Sequence, residues 1–350
     1  MRGVPRSSWV RAALVIVFLG AVLVAVWWRG PDWNVVYHAF DFVNWAWIAL
    51  ALALNLVSVL LRSLAWRLTI DQALEPPHPR FDRVFAGFGI GLLANAILPG
   101  RIGELARVAV LRRHLPHGPG TSGLLVGTVF AHRLFDLFPA LLLVGYVITT
   151  AKIPSWAVTS LVVVSALGGL LFTAAVISAR RRHRPALEGA RPIRRLLAMA
   201  RQGLSVLRSP LPAAGAIVLQ CAGWTLQLLA VYVAMRAFDI HAPLPAAGLV
   251  LLLMNVATIF PLWPGNIGLL QAAVALPLVQ YDVAYSTGFA YALVLQVIEM
   301  SVGVGVGLLF LAREGLSFAT LRGMPDASEL AVEDEPREAE AAHARAGVSR

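Results

Sequence analysis

Residues 95–107 read Asn95-Ala-Ile-Leu-Pro99-Gly100-Arg101-Ile102-Gly103-Glu104-Leu105-Ala106-Arg107. A Pro-Gly pair breaks an apolar run, and an arginine, a glutamate and a second arginine follow at once. The stretch has an echo in the second half of the chain. Pro99-Gly-Arg-Ile-Gly-Glu-Leu matches Pro264-Gly265-Asn266-Ile267-Gly268-Leu269-Leu270, with Asn255 upstream of the second copy as Asn95 is of the first. Two apolar segments interrupted by Gly and Pro in corresponding halves are the sequence signature of a transporter's binding site.

Broken apolar segments carry that meaning only in a membrane, and composition puts the chain there. Hydrophobic residues make up 58% and charged residues 14%, against about 45–50% and about 25% in soluble domains. The net charge of +10 lies almost entirely outside the apolar runs. It reads as an orientation signal and an attraction to the membrane surface, not as a nucleic-acid footprint, since no DNA- or RNA-binding motif accompanies it. Cys221 is the only cysteine, which excludes a disulfide framework and cysteine-based metal sites. The eight histidines show no H-E-x-x-H pattern. No cofactor or metal is expected.

Along the chain, 1–11 is a basic N-terminus and 12–28 a continuous apolar run ending in Trp27-Trp28. Without a small-residue cleavage site, the run reads as an uncleaved first span. Residues 43–61 form a second span, anchored by Trp45 and Trp47. The stretch 62–82 is polar, and Pro76-Pro77 stops any helix there. Arg62 and Arg67 at its start read as snorkelling to the interface, with lipid-phosphate contact as the sharper alternative. Residues 83–98 are apolar but too short for a span of about 20 residues. With 101–113 they read as a re-entrant hairpin turning at Pro99-Gly100, a geometry tolerated where protein or a wet cavity covers it. Spans follow at 121–149, 155–178, 212–235 and 284–312, with a second hairpin over 244–263 and 265–280. Between them, 180–208 is a dense arginine loop in which 192–207 has the spacing of a surface helix. Residues 314–350 form a polar tail expected to be disordered.

The arginines set the orientation. With the N-terminus and both hairpin mouths placed on their own sides, 1–11, 62–82, 107–117, 180–208 and the tail are cytoplasmic and hold nearly all of them. Each half then reads span, span, hairpin, span. The expected fold is an all-α polytopic membrane protein of two inverted repeats, 12–149 and 155–313, each with three spanning helices and one broken re-entrant hairpin. A runner-up topology lets the hairpin arms cross fully.

The chemistry follows from the same residues. Gly100 and Gly103 permit a tight turn, and the helix starting near Arg101 presents free N–H groups and a positive dipole end. That is an anion site, reinforced by the planar guanidinium of Arg101. Glu104 and Arg107 share a face, as in a capped helix with an internal ion pair. The second copy keeps the turn but replaces the charges by Asn266 and Leu269, with Gln271 as its polar residue. Inside the span 121–149 stand His132, Arg133 and Asp136. Arg and Asp cost about 2.5–3.5 kcal/mol each at a helix centre, so they face a bundle interior and mark function by default. Arg133 and Asp136 can pair along the helix; a structural salt bridge locking two helices is the plain alternative. Gln296 and Glu299 repeat the spacing in the last span. Glu299 lacks an evident cationic neighbour and is a candidate proton carrier or a hydrogen-bonded structural residue. Gln220, Trp224 and Gln227 share one helical face, as expected for helix–helix hydrogen bonding.

These residues resemble the lysylphosphatidylglycerol synthase transmembrane, flippase-like family. The resemblance covers about 12–313 and rests on Asn95 to Arg107, on Arg133-Leu-Phe-Asp136 and on Pro264-Gly-Asn-Ile-Gly268. Family members often carry Glu where this chain has His132 and Gln271, and Arg where it has Gln296. The resemblance implies a multi-spanning flippase-like fold in the bacterial inner membrane and movement of phospholipids or polyprenyl-linked lipids. Larger members add a soluble aminoacyl-transferase domain; only a polar tail follows residue 313 here, so aminoacylation is not expected.

Three functions compete. A lipid flippase uses Asn95, Pro99, Gly100, Arg101, Gly103, Glu104, Arg107, Arg133, Asp136, Asn255, Pro264, Gly265, Asn266, Gly268, Gln271, Gln296 and Glu299 to bind an anionic headgroup or lipid phosphate. An accessory scaffold uses the basic loop to hold envelope-biosynthesis enzymes. A membrane-embedded lipid transferase needs a nucleophile or metal site, and only Glu104, His132 and Asp136 offer themselves, with no recognised spacing. The flippase reading ranks first, and no enzyme activity is expected.

Overall fold

The structure, a computed structural model, describes residues 31–97, 103–115, 121–180, 209–259 and 266–315. The expected first span 12–28, the arginine loop, its surface helix, the tail and both Pro-Gly turns lie outside these residues, and with them Pro99, Gly100, Arg101, Pro264 and Gly265. Among the described residues the elements are helical. They are α1 Trp33–Ala39, α2 Trp45–Ala73, α3 Phe81–Ile97, α4 Gly103–Arg112, α5 Thr121–Thr150, α6 Ser155–Arg180, α7 Pro210–Ala237, α8 Leu244–Ile259, α9 Leu269–Leu278 and α10 Tyr285–Arg313. A single 3-10 turn, Val279–Tyr281, follows α9.

Four helices, α2, α5, α7 and α10, are long and apolar enough to cross a membrane. The order of lengths repeats: 29, 17, 10 and 30 residues for α2 to α5, then 28, 16, 10 and 29 for α7 to α10, with α6 between. Local chemistry marks the ends. The Asn44 side chain accepts from the amide of Ala46 to cap α2, Pro210 opens α7 at a position that needs no amide hydrogen, and Gly315 at φ +63° follows α10.

Two boundaries differ from the sequence reading. The second span does not stop at residue 61 but runs to Ala73. Arg62 turns inward within the helix, and Arg67 pairs with Asp71 one turn on at 3.4 Å; Pro76-Pro77 then lies just past the end. The short α1 falls where no element was expected. Asp32 caps it through the amides of Asn34 and Val35, and the amide of Asp32 in turn bonds Ser286 at the start of α10.

The helices α2 and α7 form the central pair and run antiparallel. The amide of Asn44 before α2 bonds the carbonyl of Ala237 at the end of α7 at 3.0 Å, and mid-way the Ser58 hydroxyl donates to the Gly223 carbonyl at 2.7 Å. Around them, α3 and α4 pack on each other and α3 on α10, while α8 and α9 pack on each other and α8 on α5. A core of Met235, Leu251, Val274, Tyr291 and their neighbours joins α7 to α10. A second, around Trp66, Val108 and Leu125, joins α2, α3, α4 and α5. Large apolar side chains such as Leu52, Leu142, Leu167 and Leu309 face outward, which is costless against lipid.

Small residues let backbones touch, as membrane helices require when lipid supplies no hydrophobic drive. A β-carbon at Gly103 would overlap the Gly91 carbonyl and the Asn95 side chain, and one at Gly89 would stand 2.6 Å from Val306. The α3–α4 pair is thus antiparallel and in backbone contact. Its two ends meet one carboxylate: Arg83 in the first turn of α3 donates to Glu314 at 2.9 Å, and His114, just after α4, lies 2.7 Å from the same group.

Candidate functional site

Sequence places charges on four helices, α2, α4, α5 and α10, and packing draws them into one largely buried chain. On α4, Glu104 and Arg107 are three residues apart on one face and pair at 2.7 Å. Arg107 is sealed from above: its guanidinium sits 4.8 Å from the Trp66 ring centre and 5.7 Å from that of Phe88, a desolvated cation–π arrangement. Trp66 is fully buried and locked by its indole N–H to the Thr128 hydroxyl at 3.1 Å.

The next link crosses to α5. Arg133 donates through Nε and Nη2 to one oxygen of Glu104, a two-point charge-assisted contact. Its third nitrogen reaches Asp136 at 3.2 Å, so the pair expected from the three-residue spacing is present. Asp136 is the hub. It also accepts from Arg62 of α2 at 3.0 Å, from Gln220 at 2.9 Å and from the Trp224 indole at 3.1 Å, both of α7. Arg62 extends the chain to Gln227 at 3.2 Å, and the Gln227 amide donates to Glu299 of α10 at 2.9 Å. Five helices are tied by one run of polar contacts. His132 lies within it, its Nε2 at 3.0 Å from the Arg62 carbonyl and its Nδ1 without a hydrogen-bond partner among the described residues.

One amide at each broken segment is held within the protein. Gly103, at the start of α4, gives its amide hydrogen to the Asn95 side chain at 2.9 Å. Gly268, before α9, gives its own to Gln271 at 2.6 Å, with Gly268 at φ +92° and Asn266 at φ +45°. Asn255 does not repeat Asn95: its side chain bonds back to Leu251 on its own helix, and Asn266 bridges the break instead, to the Ala257 carbonyl at 3.0 Å. Gln271 also donates to Gln296, clamping α9 on α10.

Of the residues singled out from sequence, Glu104, Arg107, Arg133, Asp136 and Glu299 belong to the chain of contacts. Gln271, Gln296, Asn266 and Gly268 form a separate amide cluster at the second break, and Asn95 and Gly103 a cap at the first. Arg62 was read as snorkelling to the interface; it is buried as the bridge between Asp136 and Gln227, because both partners lie across the bundle and not above it. A signal for this was present. Asn55, Ser58, Arg62, Trp66 and Thr69 recur every three or four residues, one polar face on an otherwise apolar helix. Gln220, Trp224 and Gln227 do hydrogen-bond between helices, but to charged partners.

The family model described as lysylphosphatidylglycerol synthase TM region matches residues 9–307. No curated protein and no solved structure matches the chain.

Proposed function

Because the chain belongs to the lysylphosphatidylglycerol synthase TM-region family, a set of multi-pass membrane proteins, we propose that it moves an anionic phospholipid or a polyprenyl-linked lipid across the bacterial inner membrane. The observation that carries this reading is the buried run from Glu104 through Arg133, Asp136, Arg62 and Gln227 to Glu299. Ionised groups at this depth are expensive, and helices that keep them do so along substrate paths. The lipid phosphate binds at Arg133, whose side chain is 45% exposed beside otherwise buried partners, and takes the place of one carboxylate. The acyl or prenyl chains stay in the bilayer.

Alternating access follows from two inverted halves, and several contacts support that arrangement. Arg62 and Gln227 occupy the same place in α2 and α7 counted from Trp45 and Pro210, as do Ser58 and Gly223, and each residue touches its counterpart. Equivalent residues of antiparallel helices meet only beside a two-fold axis lying across them, which in a membrane relates inverted halves. The mouth of the α3–α4 hairpin meets the C-terminal end of α10 at Glu314. The mouth of the α8–α9 hairpin, Ala242 and Tyr281 to Ala284, lies in one cleft with the N-terminal end, at Thr287. These contacts support hairpins that enter from opposite faces, the first from the side on which the arginine-rich segments are expected to be cytoplasmic.

In proteoliposomes, Arg62→Gln should slow flipping of a fluorescent phosphatidylglycerol by about tenfold or more, the effect of losing a charged hydrogen bond worth about 1.5–3 kcal/mol. Arg67→Gln, five residues on and paired only with Asp71, should keep the wild-type rate. Equal rates in the two variants would defeat the reading.

A further inference from the structure

Glu299 stands apart from the other carboxylates of the buried run. Glu104 meets two guanidinium groups, and Asp136 meets two guanidinium groups, an amide and an indole. The hydrogen-bond partner of Glu299 is an uncharged amide, that of Gln227. The charges around the first two do not balance. Arg62, Arg107 and Arg133 oppose Glu104 and Asp136, which leaves one positive charge. His132, taken as a neutral ring with its Nε2 at 3.0 Å from the Arg62 carbonyl and 3.3 Å from the Gln220 amide nitrogen, adds none. Glu299 is the third carboxylate, connected to Arg62 through a single amide. The cluster is neutral when Glu299 is ionised and carries one positive charge when it is protonated.

The groups around Glu299 leave that role to it. From α2 comes Arg62, and from α7 the amide of Gln227. On α10 itself, Tyr291 donates its hydroxyl to the Val231 carbonyl at 2.9 Å, and Gln296 is held by Gln271. The titratable residues of α3, Asp82 and Arg83, lie in its first turn, where Arg83 is bound to Glu314 at the other end of α10. Helix α9 carries none, and on α1 His38 is paired with Asp41. Glu299 is half-buried, next to exposed Met300 near the middle of α10.

We propose that Glu299 is a proton site linked to the anion site: one proton adds to its carboxylate when a lipid phosphate binds the arginine cluster, and leaves when the lipid does. This rests on the lipid-transport reading above. The reason is electrostatic. A neutral cluster that accepts one anion becomes a buried negative charge, which is costly at membrane depth; the protonated cluster accepts the same anion and ends neutral. The proton comes from the aqueous phase facing the open site and departs on the other side with the lipid, and no bond of the lipid changes. Linkage is reciprocal. Anion affinity is therefore greatest while Glu299 holds its proton and falls as pH rises past its titration, approaching about tenfold per pH unit for one linked proton.

Calorimetric titration of the full-length protein in detergent tests this, with short-chain phosphatidylglycerol and a short polyprenyl phosphate as separate probes and phosphatidylcholine as the neutral control. Running each in two buffers of different ionisation enthalpy counts protons. The expected result is close to one proton taken up per anionic lipid bound. Uptake should be abolished and affinity made flat with pH in Glu299→Gln, and uptake kept in Glu299→Asp. Binding of either anion without proton uptake by the wild-type protein, or a pH dependence that survives Glu299→Gln, overturns the proton site and leaves the transport reading standing. Binding no tighter for both anions than for phosphatidylcholine overturns both.

Discussion

The first half of the molecule holds its short broken helix with charges and the second half holds its counterpart with amides. Glu104 on α4 binds Arg133 on α5; Gln271 on α9 binds Gln296 on α10. One turn further along each span, Asp136 accepts from Arg62 and Glu299 from Gln227, and Arg62 and Gln227 bond each other where the halves meet. The geometry is repeated and the chemistry is not. A salt bridge and an amide pair of similar reach can each clamp a short helix, but only the charged version leaves ionised groups to be balanced. The amide version satisfies its own polar groups and is finished, apart from Glu299, whose carboxylate faces an amide where its counterpart faces an arginine.

The most damaging change should be Asp136→Ala. It leaves Arg62 buried without its carboxylate, a defect that costs about 3–5 kcal/mol, whereas Glu299→Ala removes one amide hydrogen bond and should cost about 0.5–1.5 kcal/mol. Thermal unfolding in detergent compares them, and equal losses would dissolve the distinction between the halves.

A smaller effect separates the two breaks. Gly103 is required for lack of space, so Gly103→Ala should cost about 1–3 kcal/mol by overpacking. Gly268 has open space at its β-carbon position but φ +92°, so Gly268→Ala should cost about 1–2 kcal/mol of backbone strain. Enlarging the side chain further, from alanine to serine, should cost little more at 268, where the space is open, and more again at 103. The same ranking at both sites would mean one mechanism serves both.

The subtlest test converts one half toward the other. Gln271→Glu and Gln296→Arg together should be more stable than the sum of the single changes by about 0.5–3 kcal/mol, the range for residues in direct contact. Additive behaviour would show that the second clamp does not share the geometry of the first.

Much of the fold was legible from residues in a row. Apolar runs at 121–149, 212–235 and 284–312 became α5, α7 and α10 within a few residues, because twenty apolar residues in lipid have no other way to satisfy their backbone. The ends of α3 at Ile97 and of α8 at Ile259 were legible from the Pro and Gly that follow in the sequence, and the Arg133–Asp136 pair from helical spacing. The end of α2 was not: Arg62 and Arg67 look like an interface, and only the partners waiting at Asp136 and Gln227 allow the helix to carry Arg62 inward.

Sequence by itself determined that this chain belongs in a membrane, where most of its long helices lie, and which ionisable residues must find partners there, since each depends on neighbours within a turn or two. Tertiary structure alone decided who the partners are. Arg62 reaches Asp136 and Gln227 from 74 and 165 residues away, and that depends on how α2, α5 and α7 are rotated about their axes, a property of packing in which hydropathy and spacing along one helix carry no information.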